Sequence, residues 1–134
     1  MRRSPPAEPT GNLDRLRYGY EALNRGDLSA VVALLAPDIV WVSETSDAGS
    51  GRDSFRRFLQ SWLDSFDGFR VEPQEVIERG PYLVAVVELR GRGRGSGVQV
   101  GGRTTHVWTM SAAGLAVHWR AFLDREAALA VTRG

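Results

Sequence analysis

The chain contains no cysteine and only two histidines, His106 and His118. Disulfides, thiolate nucleophiles and cysteine-ligated zinc are therefore excluded, and a histidine-rich metal centre would lack ligands. Neither a metal nor a cofactor is expected. Lysine is absent as well. All 17 basic residues are arginine, set against 16 acidic ones, and the net charge of +1 offers no bulk attraction for nucleic acid or an anionic membrane. No apolar run approaches the roughly 20 residues that cross a bilayer. Met1-Arg2-Arg3 leads into Ser4-Pro5-Pro6 and not into an apolar stretch, so no secretory signal and a cytoplasmic location are expected. What remains is ordinary for a globular domain: 134 residues, 43% hydrophobic and 25% charged, enough chain for a real core.

Residues 1 to 11 hold three prolines and no aliphatic side chain larger than Met1, too little burial to offset ordering entropy. They are expected to form a disordered tail ahead of one domain spanning 12 to 134. From Leu13 the apolar positions Leu13, Leu16, Tyr20 and Leu23 step by three and four, the stripe of a helix ended by Asn24-Arg25-Gly26. Asp27 is placed to cap a second helix that runs to Pro37. Ile39-Val40-Trp41-Val42-Ser43 reads as a strand and residues 45 to 51 as a loop. Phe55, Phe58, Leu59, Trp62, Leu63 and Phe66 then mark the clearest amphipathic helix. Beyond Gly68 the period becomes two. Segments 69 to 79, 82 to 90, 97 to 110 and 115 to 123 read as strands joined by short Gly- and Pro-containing turns, hence antiparallel hairpins. Asp124 is placed to cap a last helical turn. The order predicts an α+β fold with a curved antiparallel sheet packed against three helices.

Alternation along the strands assigns faces. Leu83, Ala85, Val87 and Leu89 point inward together, and Val87 is a candidate wall contact for a ligand. Thr104, His106, Trp108 and Met110 share the inward face of the next strand, as do Trp119, Ala121 and Leu123 of the last. The opposite face, with Tyr82, Val84, Val86 and Phe122, is apolar enough to suggest pairing with a second copy. Collected inward, Tyr20, Trp41, Ser43, Trp62, His106, Trp108 and Trp119 bring all four tryptophans of the chain to one side. Such a set lines an apolar pocket with a few polar handles, although aromatic residues fill any core. His106 titrates nearest neutrality and is the candidate donor or general acid/base, with Ser43 beside it and Tyr20 orienting the ligand. No pair of inward carboxylates is evident, so an aspartate-type acid/base mechanism lacks its groups.

Gly91-Arg92-Gly93-Arg94-Gly95-Ser96-Gly97 is flanked by strands. A dinucleotide loop would lead into a helix, so that reading fails. The run lacks the aromatics of an RNA-binding segment and is read as a hairpin with solvent-facing arginines.

Tyr20-Glu21-Ala22-Leu23-Asn24-Arg25-Gly26-Asp27-Leu28, followed by Leu34-Leu35-Ala36-Pro37-Asp38-Ile39-Val40-Trp41, resembles the opening of the SnoaL-like branch of the nuclear transport factor 2 superfamily. Gly114 and Trp119-Arg120-Ala121-Phe122-Leu123-Asp124 resemble its final strand and C-terminal turn. The resemblance spans about residues 13 to 130 and implies a cystatin-like α+β barrel with a conical cavity, usually dimeric through the outer sheet face. Related members include ketosteroid isomerase, limonene epoxide hydrolase, scytalone dehydratase, polyketide cyclases and many non-catalytic binders. Matched position by position, the isomerase tyrosine falls on Gly19, its aspartate base on Ser43 and its oxyanion-donating acid on His106. The epoxide hydrolase aspartate falls on Ala121. Two of three isomerase groups are thus missing. The resemblance leaves two readings: a cofactor-independent isomerase, cyclase or hydrolase/dehydratase acting on a polycyclic or aromatic substrate through His106, or a non-catalytic ligand-binding or dimerisation module. The expected partners are a small apolar molecule and a second copy in a homodimer. Gly19, on the buried stripe, is expected to widen the pocket.

Overall fold

The computed structural model describes residues 11 to 43 and 47 to 133. Ten elements follow in order: α1 (Gly11–Asn24), α2 (Leu28–Val32), β1 (Leu35–Val42), β2 (Ala48–Ser50), α3 (Arg52–Ser65), β3 (Phe66–Arg79), β4 (Tyr82–Gly93), β5 (Gln99–Met110), β6 (Ala116–Phe122) and α4 (Arg125–Ala130). The fold is α+β, as expected, with one six-stranded sheet in the order β2-β1-β6-β5-β4-β3. The sheet is curved and does not close on itself. Its hairpins are antiparallel, whereas β1 and β6, which meet from opposite ends of the sequence, pair in parallel. The expected tail falls almost wholly outside the described residues, and α1 already begins at Gly11.

Several boundaries differ from the sequence expectation for local reasons. The second helix stops at Val32, and the strand that follows takes in Pro37. Proline is tolerated there because the β1–β6 register shifts between Leu35 and Val40, so its missing N–H costs no ladder bond. Part of the predicted 45–51 loop is the short edge strand β2, which pairs Ala48, Gly49 and Ser50 with β1. Phe66 has extended backbone angles and opens β3, so the last member of the predicted helical stripe packs from a strand. Leu123 lies past the end of β6 and is 78% exposed, not inward. Both predicted caps are present. Asp27 accepts from the backbone N–H of Ala30, and Asp124 from those of Glu126 and Ala127.

The helices α1, α2 and α3 cover the concave face of the sheet, where Leu16, Tyr20 and Leu23 of α1 meet Phe55 of α3 and Leu83, Ala85 and Val87 of β4. Asn24 fastens the end of α1 to the edge strand β3. Its amide donates to the carbonyl of Val71 at 3.0 Å and accepts from the Val71 N–H at 2.8 Å, standing in for a missing neighbouring strand. The convex face is not wholly open. The helix α4 lays Ala128 and Leu129 over Val84 and Val107, with Tyr82 and Phe122 packed at the edge. Val84 is fully buried under it, so the centre of the apolar face predicted to pair with a second copy is covered by the chain's own C-terminal helix.

Candidate functional site

Two neighbouring chambers that share part of their lining lie between the helices and the sheet. They hold about 70 and about 60 Å³ of space open to a water-sized molecule. At 10–15 Å³ per water, each takes roughly five waters, the room of about one aromatic ring. The first is walled by α1, α2 and the β4–β6 end of the sheet, with Tyr20, Trp108, Met110 and Leu83 among its lining. The second lies towards β3 and holds Ser43, Thr104, Trp62 and Phe69. His106, Trp119, Leu23 and Leu59 line both. Their walls are almost entirely hydrocarbon and aromatic edge. Phe55 and Phe58 of α3 stack 6.1 Å apart and continue to Trp119 at 5.2 and 5.8 Å.

Three polar groups of this wall, from Trp108, Tyr20 and His106, form one chain of hydrogen bonds. The Trp108 Nε1 donates to the Tyr20 hydroxyl at 3.0 Å, and that hydroxyl lies 2.8 Å from Nδ1 of His106. Indole nitrogen only donates, so the Tyr20 oxygen accepts from Trp108, while its second lone pair and its own hydrogen let the bond to His106 Nδ1 run in either direction with the imidazole tautomer. When Tyr20 is the donor in that bond, His106 carries its ring hydrogen on Nε2. Burial without a nearby carboxylate lowers the His106 pKa to about 3, so the ring is neutral at physiological pH. Burial likewise pushes the Tyr20 phenol far up, which keeps it a neutral donor. Beside them Trp119, 5% exposed, holds a buried Nε1 with no hydrogen-bond partner among the described residues. A buried donor left in that state costs about 1–3 kcal/mol.

The sequence-predicted site residues separate into three groups. Tyr20, His106, Trp108 and Trp119 come together in the cavity wall, while Ser43 and Trp62 line the second chamber. Trp41 and Val87 are buried but line neither chamber. The Trp41 ring stacks on Phe58 at 4.5 Å and its Nε1 donates to Ser54 Oγ at 2.8 Å, while Val87 belongs to the sheet core. Gly19 lines the first chamber, where an added Cβ would stand 3.2 Å from Leu34 Cδ1. Tyr20, expected from the first helix as an inward hydroxyl, stands next to the Gly19 position on which the isomerase tyrosine falls. Sequence reasoning missed Arg15 at the rim of the first chamber and Thr104 in the second. Alternation from His106 already put Thr104 inside. Arg15 gave no signal beyond its place one residue before Leu16 of the apolar stripe.

The Gly/Arg run forms the β4–β5 hairpin, and its Arg94 and the flanking Arg90 and Arg103 are engaged. Arg94 bonds the Leu63 carbonyl at the end of α3 and pairs with Asp67, and Arg90 and Arg103 both pair with Glu88. Among the described residues no group of three or more His, Asp or Glu is placed to hold a metal. No described helix is long and apolar enough to cross a membrane.

A curved sheet wrapped over helices around such a cavity is the architecture of the nuclear transport factor 2-like and ketosteroid isomerase-like proteins. An NTF2-like protein of unknown function from Burkholderia pseudomallei K96243 superposes with a TM-score of 0.77 at 26% identity, covering 93% of this chain and 99% of that one. TerC co-crystallised with polyporic acid gives 0.73 at 21% identity, with 92% and 98% of the chains covered. A Mycobacterium tuberculosis protein in complex with estradiol-17beta-hemisuccinate gives 0.73 at 15% identity, with 84% and 93% covered. The family model of the SnoaL-like domain matches residues 16–119, and the chain belongs to that family. No curated protein matches the sequence.

Proposed function

We propose that this protein binds a small, apolar ring compound bearing one hydrogen-bond acceptor, such as a ketone, and anchors it on Nε2 of His106. The observation that carries this is the Trp108–Tyr20–His106 chain set into an otherwise apolar wall. With Tyr20 donating to His106 Nδ1, each member polarises the next and the terminal Nε2–H is a stronger donor than a lone imidazole. In a dry cavity that donor supplies orientation, and the hydrocarbon walls supply most of the affinity. Polyporic acid co-crystallised with TerC and estradiol-17beta-hemisuccinate in complex with the mycobacterial protein support small-molecule binding in this architecture. The chamber volumes favour one or two rings over a larger polycycle.

With its pKa near 3, His106 carries no proton to give as an imidazolium and is a weak base. Its role is therefore to hold a carbonyl and draw charge towards its oxygen. An isomerase or cyclase step on such a ligand would depend on that polarisation, with Tyr20 and Trp108 as positioning residues. Titration calorimetry with 2-acetylnaphthalene tests the anchor. Binding weakened at least tenfold in His106→Leu and in Tyr20→Phe is expected, and equal affinity in all three proteins would remove it. For the homodimer, the uncovered convex strip of β1 and β6, with Val40 45% and Val42 38% exposed, is the proposed contact. Sedimentation equilibrium of the wild type and Val40→Glu checks it.

A further inference from the structure

Resting on that binding mode, we infer that the same site also takes ligands of the opposite polarity: small ring compounds with an N–H or O–H donor, such as indoles and phenols, bound on Nε2 of the other His106 tautomer. The inference comes from what holds the ring. The tautomer of a buried neutral imidazole is set by the partner of its second nitrogen, and a carbonyl or carboxylate in that place can only accept. In this protein the partner is the Tyr20 hydroxyl, 2.8 Å from Nδ1, and a hydroxyl both donates and accepts.

Trp108 Nε1 occupies one lone pair of the Tyr20 oxygen in either arrangement, which leaves the other lone pair and the phenol hydrogen to share with His106. In the first arrangement Tyr20 donates to Nδ1 and the Nε2–H is a donor. In the second, Nδ1–H donates to the Tyr20 oxygen, the phenol hydrogen turns to the first chamber, which Tyr20 lines, and Nε2 becomes an acceptor. The ring gives up a hydrogen at one nitrogen to water and takes one at the other, with no change in charge. Both arrangements hold two hydrogen bonds among the three side chains and leave one hydrogen outside them, so the count favours neither. The described residues around the ring do not pin the choice. The cross-strand neighbours of His106 are Ala85 and Ala121, Trp119 meets it edge to face at 5.0 Å, and the Thr104 hydroxyl donates to the Phe122 carbonyl at 2.9 Å. No aspartate or glutamate is among the described residues lining either chamber. Burial keeps Tyr20 and His106 neutral, which the exchange requires, because an imidazolium would donate from both nitrogens. The ligand then selects the state: an acceptor takes the Nε2–H form and a donor the Nδ1–H form.

Calorimetry with indole and with benzofuran, which has nearly the same shape and no N–H, tests the acceptor state. Indole is expected to bind wild type at least tenfold more tightly than benzofuran. That preference should vanish in His106→Leu, and also in Tyr20→Phe, where an Nδ1–H has no oxygen to meet. Nitrogen-15 NMR of histidine-labelled protein, in the His118→Gln variant so that His106 alone is seen, reads the tautomer directly. The ring hydrogen is expected on Nε2 with 2-acetylnaphthalene bound and on Nδ1 with indole bound. If 2-acetylnaphthalene binds but indole gains nothing over benzofuran, or if the hydrogen stays on Nε2 with indole bound, the second tautomer is overturned and the ketone anchor stands. If neither 2-acetylnaphthalene nor indole binds, both fall together.

Discussion

Acidification should destabilise this protein well above the carboxylate range, and His106 sets the size of the effect. An unfolded chain takes up a proton on this imidazole as the pH falls through about 6.5. The folded chain does not do so until about pH 3, because burial penalises the charged ring. Between those values the unfolded state binds one more proton, so each pH unit removes about 1.4 kcal/mol of stability. From pH 6.5 to 5 the loss is about 2 kcal/mol, a figure that holds for any folded pKa below about 4.5. Above pH 6.5 the contribution is constant. His118, lowered by partial burial and then by the Arg120 charge, acts in the same direction but is more exposed. Glu75, held below the usual carboxylate range by Arg125, acts only at lower pH. Urea unfolding of wild type and His106→Gln at half-unit steps from pH 7.5 to 5 isolates the His106 share, since the variant retains His118. Stability of the wild type should fall more steeply by about 2 kcal/mol across that range. Parallel profiles for the two proteins would refute the buried neutral imidazole and the hydrogen-bond chain built on it.

Tyr20→Phe leaves Trp108 Nε1 and His106 Nδ1 without their shared partner, an expected cost of about 2–4 kcal/mol. At about 3–4 °C per kcal/mol for a domain of this size, thermal melting should drop by about 10 °C. Gly19→Ala gains about 1 kcal/mol of helix propensity and meets only the flexible tip of Leu34, so stability should change by less than about 1 kcal/mol. Its effect should appear instead as weaker binding of 2-acetylnaphthalene, measured by calorimetry. Gly49→Ala would press a Cβ to 2.8 Å from the Trp41 indole, and overpacking of that kind should cost about 1–3 kcal/mol in urea unfolding. Asp124→Ala removes the acceptor for two backbone N–H groups at the start of α4. The expected loss is about 1 kcal/mol, seen as a melting drop of about 3–4 °C.

What the sequence determined by itself was everything that follows from local periodicity and local chemistry. The three-and-four stripe of Leu16, Tyr20 and Leu23, the period-two strands after Gly68 and the caps Asp27 and Asp124 are each specified within a few residues, and all are present. Alternation also placed His106 and Trp108 on the inward face, because a strand's side chains have only two directions to choose from. Tertiary structure decided what depends on distant segments meeting. The bond from Tyr20 to His106 joins positions 86 residues apart, and its length depends on how α1 is seated by Asn24 on the edge of β3. The parallel pairing of β1 with β6 let Pro37 sit in a strand, and α4 hid the apolar convex face that alternation alone left open. Trp41 and Trp119 look alike in the sequence, yet one packs behind α3 and the other lines both chambers. A side chain's direction is local information, but what it meets there is set by the packing of every other element.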